Sequence, residues 1–309
     1  MRSCSADLQK CLRTRSHFLA RLRRPRQKCE LADDLEESRS TIDRALRELE
    51  DAGFVERADR GYRTTLTGEL ALEAYRRYSA RLDGLLSARD ALDPLPTDAA
   101  LDGALFEEAT VSLPTSCSPH APVEALESLL ADADHARVFA TAVIPAYVDI
   151  YHEKIVEEGM TADIVCAEGV FDWILSRREE ELAAIAGCDG VTLWETSADR
   201  AFSLVVTECE SPDTDRSRET DATSAYRTSG GDSDRDRSSD RDRTDDRDRS
   251  SDRTNDRDQP TKRVGAMIYD EGQLAGFVHT DARAAVAWGE AVADRLEADA
   301  MRLGGPVEG

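Results

Sequence analysis

Lysine is scarce in this sequence: only Lys10, Lys28, Lys154 and Lys262 occur, and the other 36 basic residues are arginine. Long apolar runs are missing as well. With no stretch of about 18 apolar residues, no membrane span is expected. The opening residues, MRSCSADLQKCLRTRS, hold no apolar stretch of about 7–15 residues, which argues against a secretory signal. No CxxC pair occurs among Cys4, Cys11, Cys29, Cys117, Cys166, Cys188 and Cys209, and their number is odd. That argues against a zinc ribbon and against a disulfide framework. Reduced, mostly buried thiols in a cytoplasmic protein are the expectation. Neither GxGxxG nor a Walker A motif is found, so no nucleotide or other cofactor is signalled. His17, His120, His135, His152 and His279 show no metal-ligand spacing, and no metal is expected.

What is abundant is acid. Sixty-three acidic residues give a net charge of −23 and a pI near 4.6. This resembles the composition of a protein adapted to a cytoplasm of very high salt, where screening acts over only a few ångströms. The acidity then reports on the solvent and is a poor argument against a nucleic-acid partner. Nor is the charge even. Residues 1–82 carry 18 basic and 14 acidic side chains, a net of +4, so the remainder carries −27. A positive island on an acidic chain suggests that one end meets a polyanion.

With 309 residues the chain has room for about two domains. Residues 1–88 alternate helical periods with one hairpin. Residues 89–103, RDALDPLPTDAALDG, read as a linker because of Pro94 and Pro96. Residues 104–303 alternate strand and helix signals around an insertion at 209–262. Within 211–260 stand 15 acids and 11 arginines with almost no large apolar side chain. Such a segment cannot bury enough surface to offset chain entropy, and disorder is expected there. Its flanks, FSLVVTE and RVGAMIYD, look like buried strands that would pair through a short turn. The insertion therefore sits at a hairpin tip, where added length costs little.

In the stretch SRSTIDRALRELEDAGFVER, residues 38–57, Ile42, Ala45, Leu46 and Leu49 fall on one helix face. Ser40, Asp43, Arg44 and Arg47 fall mainly opposite. Ser38 suits the N-cap and Gly53 the C-terminal stop. A shorter helix precedes it, with Leu31, Ala32 and Leu35 on one side, and a third carries Phe18, Leu19 and Leu22. Two short helices joined by a tight turn form a helix-turn-helix. FVER, the turn ADRG and YRTTLT add a two-stranded wing, with Gly61 in the turn, and Thr67 can cap the helix that follows. Ala71, Tyr75, Tyr78, Leu82 and Leu85 on that helix form a short a/d seam, which could pair two subunits into a homodimer or pack on its own domain.

The run ELADDLEESRSTIDRALRELEDAGFVERADRGYRTTLTGELAL resembles the winged helix-turn-helix of archaeal transcriptional regulators, over about residues 13–80. One departure is Glu36–Glu37 in the turn, because glutamate is costly in a left-handed conformation. The resemblance implies double-stranded DNA as partner. Ser38, Arg39, Ser40 and Thr41 would sit at the recognition-helix N-terminus, where hydroxyls and the helix dipole favour phosphate or base contact. Arg39, Arg44 or Arg47 could pair with a guanine edge. Lys28 and the wing arginines Arg57, Arg60 and Arg63 complete the candidate DNA contacts. The bland alternative is a solvated face with ordinary ion pairs such as Arg44–Glu48.

The later segments PHAPVEALESLL, VIPAYVDIYHEKIVEEG, FSLVVTE, RVGAMIYDEGQLAGFVHT and DARAAVAWGEAV resemble the sensor domain of the methanogenesis-regulator (FilR) type, over about residues 104–303 apart from the insertion. That resemblance implies a domain sensing an unknown effector. Ser203 and Asp270, near strand ends, are conceivable effector contacts. His152-Glu153-Lys154 matches the HxK start of phospholipase D-type phosphodiesterases, but Gly159 stands where aspartate is expected and no second copy exists. No catalytic set is assigned, and Cys166 is expected to be buried in its strand. The expected fold is α+β: an N-terminal winged helix-turn-helix domain and a C-terminal α/β mixed-sheet sensor domain. The expected function is a sequence-specific DNA-binding transcriptional regulator. The alternatives are a phosphodiesterase-like enzyme with an appended nucleic-acid module, or a winged helix that docks proteins.

Overall fold

The structure, a computed structural model, describes residues 5–198, 200–210 and 260–304. The N-terminal region folds as α1 (Ser5–Arg21), α2 (Lys28–Leu35), α3 (Arg39–Asp51), β1 (Val55–Ala58), β2 (Gly61–Thr64) and α4 (Leu66–Ser87). Its core is the apolar face of each helix brought together. Phe18, Leu19, Leu22, Leu31, Ile42, Leu46, Leu49 and Leu72 are all buried, so the 3.6-residue spacing translates directly into packing. The turn between α2 and α3 does place Glu36 in the left-handed region, at φ 51°. β1 and β2 pair antiparallel from Val55↔Thr64 to Ala58↔Gly61. Gly61 is forced by a close approach: at φ 119° a Cβ there would lie 2.0 Å from the Arg26 carbonyl oxygen. Arg26 bonds Tyr62 on the outer side of the wing through both backbone groups at 2.9 Å. The cap of α4 is Thr65, whose hydroxyl accepts from the Gly68 amide at 3.0 Å, and not Thr67 as the sequence suggested. Thr65 holds the extended backbone that an N-cap requires, whereas Thr67 is already inside the helix.

The rest continues through α5 (Arg89–Leu92), a 3-10 turn (Gly103–Phe106), β3 (Thr110–Ser112), α6 (Ala121–Leu130), β4 (His135–Ala140) and α7 (Pro145–His152), which runs on into a π turn (Glu153–Glu157). Then come β5 (Thr161–Ala167), α8 (Glu168–Arg177), α9 (Glu179–Ala186), β6 (Val191–Thr196), β7 (Phe202–Cys209), β8 (Thr261–Asp270), β9 (Gln273–Thr280), α10 (Arg283–Ala298) and β10 (Met301–Gly304). One eight-stranded sheet has the order β10-β6-β5-β4-β7-β8-β9-β3. β4, β5 and β6 run parallel and the remaining pairs antiparallel, as the α/β alternation followed by hairpins predicts. Because side chains alternate along a strand, the sheet has two buried faces. Leu204, Val206, Ala266 and Ile268 pack toward α10 and the 3-10 turn, while Val205, Met267, Val138 and Leu193 pack toward α6, α7 and α9.

Several local expectations are corrected. Residues 89–103 contain α5, whose Ala91 is fully buried in the sheet core, with Leu92, Leu95 and Leu101 packed against it. The helical stretch after β5 breaks at Arg178 (φ −139°) into α8 and α9. Three glutamates, Glu179 to Glu181, open α9, where the helix dipole favours negative charge. The final helix stops at Ala298, and β10 covers the edge of β6 that would otherwise be unpaired. Of the six cysteines among the described residues only Cys166 is buried; Cys29 and Cys117 are exposed, and Cys11, Cys188 and Cys209 are half-buried. Of those five, Cys11 and Cys188 pack at the edges of two cores, and Cys29, Cys117 and Cys209 lie on a helix surface, in a loop and at a strand end. The expected disorder at 209–262 lies outside the described residues from 211 to 259. The flanking strands do pair, closing at Cys209↔Thr261.

Candidate functional site

The α3 surface opposite its buried stripe displays Arg44 and Arg47 to solvent, and Arg39 is exposed at the first turn, on the side facing α2. Ser38 opens the helix. Its hydroxyl accepts from the Thr41 amide at 3.1 Å and lies 2.8 Å from the Ser40 hydroxyl and 2.9 Å from that of Thr41. Three hydroxyls and unpaired backbone amides thus share the positive end of the helix dipole. Arg57, Arg60 and Arg63 are exposed on the wing. Lys28 and Arg57 both stand over the Tyr62 ring, each 5.7 Å from its centre, so Tyr62 ties the start of α2 to the wing.

The cations divide by their partners. Arg44 pairs with Glu48 at 2.8 Å, Arg57 with Glu50 at 3.2 Å and Arg63 with its cross-strand neighbour Glu56 at 2.6 Å. Lys28 pairs with Asp43, and that hydrogen bond raises the ammonium above its ordinary pKa and lowers the carboxyl below its own. Arg39, Arg47 and Arg60 make no ion pair among the described residues. Exposed pairs are worth only about 0–1 kcal/mol, so the paired arginines can exchange a carboxylate for a phosphate at little cost.

The other candidate positions lie far along the chain. A partly open cavity of about 70 Å³ lies between the sheet and α7, α8 and α9. Ser203 lines it, whereas Asp270 is exposed in the turn between β8 and β9. Ser203 itself is engaged, accepting from the Thr141 amide at 3.0 Å. Three residues that sequence reasoning passed over are more conspicuous: Tyr147 and Tyr151 on α7 and Tyr269 on β8. Their hydroxyls are buried and have no hydrogen-bond partner. The Tyr269 oxygen is close enough to Tyr147 and Ser203 to couple with them electrostatically, yet no bond of normal geometry forms. Burial pushes all three phenols above their ordinary pKa. It also pushes the Cys166 thiol in the same wall up to about 12. Every titratable group of the wall is therefore neutral near pH 7. The only signal in the sequence was the i, i+4 spacing of Tyr147 and Tyr151, which is also ordinary core spacing.

His152, Glu153 and Lys154 fall where α7 gives way to the π turn, and Lys154 is held by Glu158 at 2.8 Å. No group of three or more potential metal ligands occurs among the described residues, and none of their helices is long and apolar enough to cross a membrane.

Residues 6–84 match the family of the HVO_A0261 N-terminal domain, and residues 119–228 match the middle domain of the methanogenesis regulatory protein FilR1. Each of the two regions is thus similar to a regulator-family domain. The HVO_A0261-type domain spans α1 to most of α4. The FilR1-type match begins just ahead of α6 and passes beyond β7, so it includes the cavity residues except Met267 and Tyr269. No curated protein matches the chain. Among solved structures, the archaeal chromatin protein TrmBL2, whose structure shows a mode of DNA binding, is 12% identical over 97% of this chain and 100% of its own, with a TM-score of 0.35. An O-methyltransferase family protein from Burkholderia thailandensis is 13% identical over 62% of this chain and 60% of its own, at 0.23. The apo form of the S-adenosylmethionine-dependent methyltransferase SibL is 15% identical over 63% and 62%, at 0.25. Scores this low carry no functional argument.

Proposed function

We propose that this FilR1-type protein is a transcription regulator that binds double-stranded DNA in a sequence-specific way through α3 and the wing. The observation that carries this reading is the pair Arg39 and Arg47. Arg47 is exposed on the face of α3 away from its core, Arg39 is exposed at the helix's N-terminal turn beside α2, and neither makes an ion pair among the described residues. In a chain of net charge −23, such a surface is where a polyanion binds with least repulsion. α3 would lie in the major groove with its N-terminal hydroxyls toward phosphate, and the wing arginines would reach the adjacent backbone.

The second domain would sense an effector and pass its state to the DNA-binding domain through α4. Arg77 and Arg81 of α4 both bond the Glu107 carboxylate at 2.9 Å, and the Glu107 carbonyl accepts from the Thr280 hydroxyl at 2.7 Å. A second copy of the chain would pair along the same helix. Ala71 turns into its own domain's core, but Tyr78, Leu82 and Leu85 remain exposed at heptad spacing, the self-complementary pattern of a two-fold contact. Two winged helices would then meet two half-sites.

The test is operator affinity measured across a salt series near native ionic strength, after mapping bound genomic DNA. Replacing Arg39 and Arg47 by alanine should cost about 1–3 kcal/mol for each base-contacting residue. Undiminished affinity in the double variant would sink the reading.

A further inference from the structure

We infer that the cavity between the sheet and α7, α8 and α9 is the effector site, and that it takes a small, uncharged, mostly apolar molecule bearing one hydroxyl or carbonyl oxygen. This rests on the sensing role proposed above.

The walls decide the chemistry. The lining includes Val138, Ile164, Phe171, Ile174 and Leu193 and no acidic or basic side chain. The polar atoms it offers are few: the hydroxyls of Tyr147, Tyr151, Tyr269 and Ser203, and the Cys166 thiol. Phenylalanine would fill the same space without polar atoms. Three buried hydroxyls without partners each carry a desolvation cost that a ligand oxygen would relieve. Tyr147 and Tyr151 are one helical turn apart and so point the same way, while Tyr269 comes from β8 at the register shift between Ile268 and Tyr269. Such irregularities are over-represented beside binding sites. The hydroxyls can donate to a ligand oxygen or accept from it. An anionic ligand would find no countercharge in the wall, and burying an unpaired charge is far more costly than burying an oxygen.

The size decides the motion. At about 70 Å³ the cavity is under half of the roughly 150 Å³ that holds a benzene ring, so a ring-sized ligand must part the walls. The helical wall is built to yield. α7 continues into a π turn, a feature found often at functional sites, and α8 and α9 are separate segments hinged at Arg178. Arg178 bonds Asp149 of α7 and Glu181 of α9, so two ion pairs at the surface bridge the helices at the hinge.

The experiment uses the full chain and three probes of matched size: phenol, toluene and benzoate. Calorimetry should show saturable binding of phenol with a raised Tm, weaker binding of toluene and none of benzoate. The variant Tyr147→Phe/Tyr151→Phe/Tyr269→Phe should remain folded, because those hydroxyls make no bond, and should lose at least tenfold in phenol affinity while keeping that for toluene. Ala140→Leu, which fills the wall, should lose both. No saturable phenol binding, or equal phenol affinity in the triple variant, overturns the inference; the latter would mean that the hydroxyls hold ordered water instead. Operator affinity measured with and without phenol separates the two readings. Phenol bound in the cavity with no change in operator affinity supports the site and overturns the sensing role.

Discussion

Gly84 of α4 lies directly on the backbone of Phe106: a Cβ at Gly84 would stand 2.1 Å from the Phe106 carbonyl oxygen. The consequence is architectural. The N-terminal end of α4 packs in the HVO_A0261-type domain through Leu72, and its C-terminal end is seated on the 3-10 turn of the second domain. Ala88 and Ala91, just beyond it, are fully buried in the sheet core. α4 is a single rigid element shared by both domains.

Gly84→Ala should therefore force the helix off the 3-10 turn. Overpacking of this kind costs about 1–3 kcal/mol. Gly103→Ala is the control, since nothing lies within 4 Å of a Cβ there. Denaturant titration of both variants checks it, and equal stability would mean that the junction yields without strain.

Glu48 links acid sensitivity to the DNA-binding surface. The Arg15 and Arg44 guanidiniums, at 2.8 Å each, hold its carboxyl below the usual range. A lowered folded-state pKa contributes stability that is present above the unfolded value, near 4.3, and is lost as pH falls through the folded one. Glu48→Gln should lower stability at neutral pH and flatten its decline on acidification. Parallel curves for the two proteins from pH 6 downward would contradict this.

Pairing through α4 is tested by charge. Tyr78 is 61% exposed and Leu82 41%, so glutamate at either position leaves the fold intact. Light scattering should find a dimer for the parent chain and a monomer for Tyr78→Glu/Leu82→Glu, with weaker binding to a two-half-site operator than to a single half-site by comparison with the parent. A parent chain that is monomeric at micromolar concentration would rule out this contact.

The register Cys209↔Thr261 makes the β7–β8 connection removable. Closure cost rises by about 0.6 kcal/mol per doubling of connection length. Replacing 211–259 with a short turn should raise stability by roughly 1–2 kcal/mol. Loss of folding would show that the segment contributes contacts of its own.

Much of the winged helix was legible because its determinants are local. Ile42, Ala45, Leu46 and Leu49 are neighbours on about two turns of helix, and Ser38 caps the Thr41 amide only three residues away, so spacing alone places them. Errors arose where neighbours in space are distant in sequence. Thr65 and Thr67 are equally good caps on paper, and the choice depends on the wing delivering extended backbone at Thr65. The stretch around Pro94 and Pro96 reads as a linker, yet Ala91 is drawn into the sheet core. Met301 and Arg302 follow α10 directly, and they are strand because they pair with the free edge of β6.

By itself, then, the amino-acid order determined the helix faces, the Ser38 cap, the wing and the positive island, since each depends on side chains within a few residues or on charge counts. The tertiary fold alone decided the sheet order, the sharing of α4 between domains, which arginines are already held by carboxylates, and the meeting of Tyr147, Tyr151 and Tyr269 around one cavity. The physical reason is that burial and the satisfaction of a polar atom are properties of a three-dimensional neighbourhood. A tyrosine carries the same hydroxyl everywhere, and only the surrounding walls determine whether it is left without a partner.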